Sequence, residues 1–211
     1  MGHTYASAPA LTVSPASEEL ASARKALIAR FLHGEGVHSF EQDHTEIVDH
    51  YLRRNLQEST TGGDLFKKGV SFSFIAVGGY GRKELNIHSD IDLIILFEKR
   101  IPSEAKTLAT EVFYPLWDLG IELGYAVRSV KECLRLCQSD FEVMTSMMDA
   151  RFICGDSPLY LSFMEGLRNK VIQRKKTLWF RWLEDRHRLR KEIYGDAGYL
   201  LEPHVKEGTG G

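Results

Sequence analysis

From Val70 the chain alternates with a period of two, setting Val70, Phe72, Phe74 and Ala76 on one face and Ser71, Ser73, Ile75 and Val77 on the other. That spacing predicts a strand. Gly78 and Gly79 remove the side chains where it ends, so the backbone there can approach a ligand closely. A second strand is predicted over Ser89–Phe97, with Asp90 and Asp92 two residues apart and therefore on one face. The rest of that run is apolar, as expected of a central strand covered on both sides.

On either side of this pair the period lengthens to that of a helix. Ser14-Pro15 predicts a capped helix start, with Leu20, Leu27 and Phe31 sharing a face before His33-Gly34. A second helix is expected over roughly Ser39 to Leu56, carrying Phe40, Ile47, Val48, Tyr51 and Leu52 at helical spacing. Residues 1 to about 13 show no period and are expected to fray, and Ser59–Gly63 has the composition of a linker. Downstream, Ser103 is expected to cap a helix reaching about Leu119, bent at Pro115 and closed by Gly120. A third strand is expected over Glu122–Val130. A capping box at Ser139–Glu142 should open another helix, followed by an edge strand over Ala150–Cys154 and a long helical stretch after Pro158. The expected fold is α/β, a small mixed sheet flanked by helices, with an N-terminal helical pair and a long C-terminal helical segment. Its divisions fall at 1–63, 64–156 and 157–211.

Composition narrows the class. At 211 residues the chain can bury a substantial core, and 43% hydrophobic residues without a membrane-length apolar run point to a chain with no place in a membrane. Acids (29) and bases (27) nearly balance, so no overall electrostatic footprint for nucleic acid exists. The exception is local: ten Lys or Arg lie between Arg168 and Lys191, interleaved with Trp179, Phe180 and Trp182. A solvated helical face with a buried aromatic side is the more ordinary reading than a nucleic-acid surface. One or two of these cations could instead face a triphosphate or a protein partner. Cys133, Cys137 and Cys154 lack zinc spacing and read as small buried hydrophobes of a reducing cytoplasm; no signal peptide is evident. His33, His38, His44 and His50, five or six residues apart, do not share a helical face and are not expected to bind metal.

The chemistry is concentrated in the two acids. Adjacent ionised carboxylates repel each other and resist desolvation unless a cation compensates. Mg²⁺ favours one or two carboxylates plus substrate phosphates, so Asp90 and Asp92 are predicted metal ligands. The structural alternative is that Asp90 caps a turn and Asp92 is half exposed. No Gly-Lys-Ser/Thr follows the glycines, which excludes a P-loop, and Glu84 stands where a dinucleotide fingerprint needs its third glycine.

Gly78-Gly79, ten intervening residues and Asp90-Ile91-Asp92-Leu93 resemble the signature of the DNA-polymerase-β-type nucleotidyltransferase superfamily. The fuller string, Val77-Gly-Gly-Tyr-Gly-Arg-Lys-Glu-Leu85 followed by Ser89-Asp-Ile-Asp-Leu93, is similar to the N-terminal transferase domain of the [protein-PII] uridylyltransferases. Leu116–Gly120, Val127-Arg128 and Leu200–Gly211 extend the similarity over nearly the whole chain. The resemblance implies a nucleotidyltransferase fold and Mg²⁺-dependent transfer of UMP from UTP to a tyrosine of a PII-type nitrogen-regulatory protein. It implies nucleotide binding by Gly78, Gly79, Arg82, Ser89 and Lys206, and catalysis by Mg²⁺ held on Asp90 and Asp92, in a one- or two-ion site. Many enzymes of this fold place a third carboxylate on a later strand. Arg128 stands there instead, leaving Glu122, Asp118 and Glu202 as weaker candidates. The family's hydrolase and ACT regions are not in this sequence, which is expected to be a fragment of a longer protein or a shortened paralogue. Another acceptor, or a nucleotide-binding regulatory module without turnover, would use the same residues.

Overall fold

A computed structural model describes residues 15–194. Among them a four-stranded sheet has the order β3-β2-β1-β4, built from β1 (Phe72–Ala76), β2 (Ile91–Phe97), β3 (Leu123–Ser129) and β4 (Arg151–Gly155). β1 runs antiparallel to both neighbours and β2 parallel to β3, so the sheet is mixed as expected. The crossover from β2 to β3 is made by helix α5 (Ala105–Asp118), in keeping with the need for a long connection between parallel strands.

The period-two pattern sorts into two cores. Phe72, Phe74 and Ala76 of β1 join Ile91, Leu93, Ile95 and Phe97 of β2 on one face. There they pack against α1 (Pro15–Leu32), α2 (Phe40–Glu58) and α5 through Leu20, Val48, Leu52, Val112 and Phe113. On the other face Ile75, Val77, Ile94 and Leu96 pack against α6 (Val130–Ser139), α7 (Phe141–Met148) and α8 (Ser157–Gly166). The even-numbered side of β2, which carries Asp92, thus belongs to the α6–α8 layer. A π-helical stretch, Leu167–Ile172, joins α8 to α9 (Gln173–Tyr194), and Trp179 of α9 rests on the same second core. Cys133 and Cys137 are buried, Cys154 is partly so, and burial pushes their thiols up to about 12, about 11 and about 12, as for inert packing groups. No described helix is long and apolar enough to cross a membrane.

Three local expectations are corrected. Residues 59–63 do not form a linker but open helix α3 (Thr60–Lys67). Ser59 accepts from the Gly62 amide at 2.9 Å, and Glu111 of α5 accepts from the Ser59 hydroxyl at 2.6 Å and from the Thr61 amide. Tertiary capping overrides the poor helix propensity of the two glycines. The cap of α7 is Asp140 rather than a Ser139 box: its Oδ1 accepts from the amides of Glu142 and Val143. The capping box in fact opens α6, where Ser129 and Glu132 exchange side-chain and backbone bonds. Finally, α5 begins at Ala105 with Glu104 as its N-cap, and Ser103 donates only to the Glu104 carboxylate.

Candidate functional site

The site is assembled where β1 and β2 end side by side. The Val77 amide donates to the Asp92 carbonyl at 3.1 Å, so the glycine turn begins one residue beyond the last rung of the ladder. Gly78 there has φ +59°, which glycine adopts without the penalty a Cβ brings, and it opens the short helical turn α4 (Gly78–Gly81). Gly81 is needed for space: an added Cβ would stand 2.2 Å from the Asp149 carbonyl. Gly79 differs from both, since its Cβ would meet only the Glu84 carbonyl at 3.9 Å. Its exposed side is therefore open to a ligand.

The Asp92 carboxylate lies between two glycines. An added Cβ on Gly78 would stand 3.5 Å from one of its oxygens, and one on Gly124 would stand 2.7 Å from the other. Gly124 is opposite Asp92 on β3, and the next positions on that face are Ala126 and Arg128. Two side chains are thus given up where this carboxylate sits, and it is exposed at the end of an otherwise buried strand. Such a cradle around Asp92, with a second exposed acid two residues away at Asp90, suits a hard divalent cation with oxygen ligands, as Mg²⁺ is. Among the described residues no set of three His, Cys, Asp or Glu side chains converges on one point. Glu122 precedes β3 and its carbonyl accepts from the Ile91 amide at 2.9 Å, which puts its backbone beside the acid pair. Asp118 ends α5, and Glu202 and Lys206 lie outside the described residues.

Arg82 caps the glycine turn and holds two carboxylates, Glu84 and Asp149, each at 2.7 Å, which raise its guanidinium above its usual range. It borders a cleft of about 640 Å³ that also includes Gly78, Ser146 and Arg186. Ser89 does not enter that cleft. Its hydroxyl oxygen accepts from the Asn86 amide at 3.2 Å, and it lines a separate pocket with Arg24, His44 and Glu122.

Sequence reasoning missed a buried group beneath the turn. Asp49 of α2 is 2% exposed, and Arg151 of β4 grips both its oxygens, at 2.6 and 3.1 Å. Tyr80 donates its phenol to the same carboxylate at 2.7 Å, and Arg53 adds a contact at 3.1 Å. Arg151 also donates to the carbonyls of Tyr80 and Gly81, so one guanidinium fixes the backbone of the glycine turn. Burial raises the Tyr80 phenol well above its usual range, and the adjacent Asp49 carboxylate acts in the same direction. A second support reaches the connector. Arg24 can only donate, so His44 Nε2 accepts from it at 3.2 Å, and His44 Nδ1–H donates to the Leu85 carbonyl at 3.1 Å. Neither support has a local signature, because its partners come from separate elements.

The nucleotidyltransferase family DUF294 matches residues 21–128, which include the glycine turn, both acids and Gly124. The bifunctional uridylyltransferase/uridylyl-removing enzyme of Nitrosospira multiformis is 35% identical over 200 residues, covering 92% of this chain and 21% of its own length. The enzyme of the same name from Stutzerimonas stutzeri is 33% identical over 205 residues, 96% of this chain and 22% of its own. That from Cereibacter sphaeroides is 39% identical over 137 residues, 65% of this chain and 15% of its own. The matched region thus spans between 15% and 22% of the length of these curated relatives.

Proposed function

The chain belongs to the nucleotidyltransferase family DUF294, and on that premise we propose that it transfers UMP from UTP to a tyrosine of a PII-type protein. The reaction is Mg²⁺-dependent and cytoplasmic. The observation that carries this reading is the Asp92 carboxylate cradled by Gly78 and Gly124 beside Asp90. The uridylyltransferase activity named for the relatives supports the choice of donor.

In this reading the acceptor oxygen attacks the α-phosphorus in line, the bond to the β-phosphate breaks, and pyrophosphate leaves as the phenolic proton passes to solvent. Asp90 and Asp92 would hold the metal. When bound, Mg²⁺ offsets charge on the attacking and leaving oxygens and lowers the pKa of the acceptor hydroxyl. The backbone N–H groups of Gly78 and Gly79 face the β- and γ-phosphates. Arg82 presents a fork to them once it releases a carboxylate. The Asp49–Arg151–Tyr80 group holds the turn at the spacing these contacts need.

The test is transfer of label from α-labelled UTP to a PII-type protein with Mg²⁺, run on Asp90→Asn and Asp92→Asn as well as the parent. Asn caps about as well as Asp, so a structural role would survive the change, whereas a metal role loses charge the cation needs. Both variants are expected to lose transfer by several hundred-fold or more while melting as the parent does. The double variant should be hardly worse than either. Near-parental transfer by either single variant would remove the two-carboxylate site and this function with it.

A further inference from the structure

The cleft beside the glycine turn has a second wall that the proposed chemistry has not used. Opposite Gly78, Arg82 and Ser146 stand Arg186 and Arg190 of α9. Gly78 is common to this cleft and to the acid site: its added Cβ would be 3.5 Å from Asp92 Oδ2 and 3.9 Å from Ser146 Oγ. Asp92 is also on the sheet face covered by α7 and by Trp179 of α9. A chain of phosphates that starts at Asp92 and passes Gly78 therefore runs into the space between the turn and α9. Three guanidinium groups line that space against two carboxylates, Glu142 and Asp149.

The arginines are already positioned. Arg186 pairs with Glu142 and lies 5.4 Å from the Trp182 ring centre, and Trp182 in turn packs on Phe141 at 5.9 Å. Arg82 pairs with Asp149 from the other side. These are solvent-exposed ion pairs, which contribute little and are exchanged readily, whereas a guanidinium–phosphate fork is both charge-assisted and bidentate.

We propose that this cleft is the subsite for the two terminal phosphates of the donor, completed by Arg186 and Arg190 of α9, with Arg186 and Arg82 trading Glu142 and Asp149 for phosphate oxygens. The subsite rests on the transferase reading for its role, but its ligand chemistry, a linear polyphosphate, can be probed without turnover.

The experiment titrates inorganic tripolyphosphate, a nonhydrolysable UTP analogue and UMP, each with Mg²⁺, into the parent chain and into Arg186→Gln and Glu142→Gln. Thermal melts verify that each variant is folded. Arg186→Gln should weaken tripolyphosphate and the UTP analogue by about 10-fold or more and leave UMP unchanged. Glu142→Gln, which frees Arg186, should tighten tripolyphosphate. Unchanged tripolyphosphate affinity in both variants, or equal loss for UMP, overturns the subsite; so does a parent that binds no polyphosphate. If the parent transfers UMP while Arg186→Gln binds like the parent, the subsite fails and the transferase reading stands. If the parent never transfers yet binds tripolyphosphate in an Arg186-dependent way, the converse holds.

Discussion

The glycines of the turn separate into positions that shape the chain and positions that face a ligand. Gly81→Ala drives a Cβ into the Asp149 backbone carbonyl, and backbone cannot step aside cheaply. It should lower stability by about 1–3 kcal/mol, read as a fall in denaturation midpoint. Gly79→Ala meets nothing closer than 3.9 Å, so it should melt like the parent while binding the triphosphate less tightly in a calorimetric titration. Unchanged affinity would reduce Gly79 to a turn residue. Gly124→Ala is a third case: its Cβ would press on Asp92 Oδ1, the movable end of a side chain. Transfer should fall with little loss of stability, and a variant as active as the parent would mean the carboxylate has no fixed place. The glycine pair and the two acids were legible because they are adjacent in sequence and break a strand pattern. Gly124 was readable in principle, since a glycine inside a strand marks a bulge or a close approach. Its meaning depends on the parallel register with Asp92, which no local pattern encodes.

At the scale of elements, the sheet was legible because one face of each central strand is buried against each helical layer, and the period of two records that directly. Helix ends were less so. Ser129-Val-Lys-Glu132 carries the box pattern as plainly as Ser139–Glu142, and only the position of β3 selects between them. Residues 59–63 were misread because Glu111, fifty residues away, provides the anchor that makes them helical. Between α1, α2 and the connector, His44 gives a pH response. Burial is the main cause that lowers its pKa below 6.5, so the folded state prefers the neutral ring. The unfolded chain binds the extra proton first. The contribution of His44 is therefore complete above about pH 6.5 and is lost as pH falls through the folded pKa. Parent melting temperature should drop between pH 7.5 and 5.5 by more than that of His44→Gln. Equal drops would assign the acid sensitivity to other groups.

For the whole molecule, the Asp49–Arg151 pair ties the N-terminal helices to the last strand of the sheet and holds the glycine turn between them. Asp49→Asn leaves the guanidinium without its charge partner, a loss of about 3–5 kcal/mol when one member of a buried pair is removed. Asp49→Asn should therefore melt well below the parent, and at a temperature where it is still folded its KM for UTP should rise as the turn loosens. A variant of parental stability would make the pair a bystander. This arrangement also has a consequence for how the protein is made. The two partners are 102 residues apart, so the ribosome releases Asp49 about 5–20 s before Arg151 can reach it. The glycine turn emerges within that interval, and until Arg151 follows it the helices and the turn lack the cation that joins them. A carboxylate meant for burial must wait in water, and the cleft beside the glycine turn cannot take its final shape until β4 has been made.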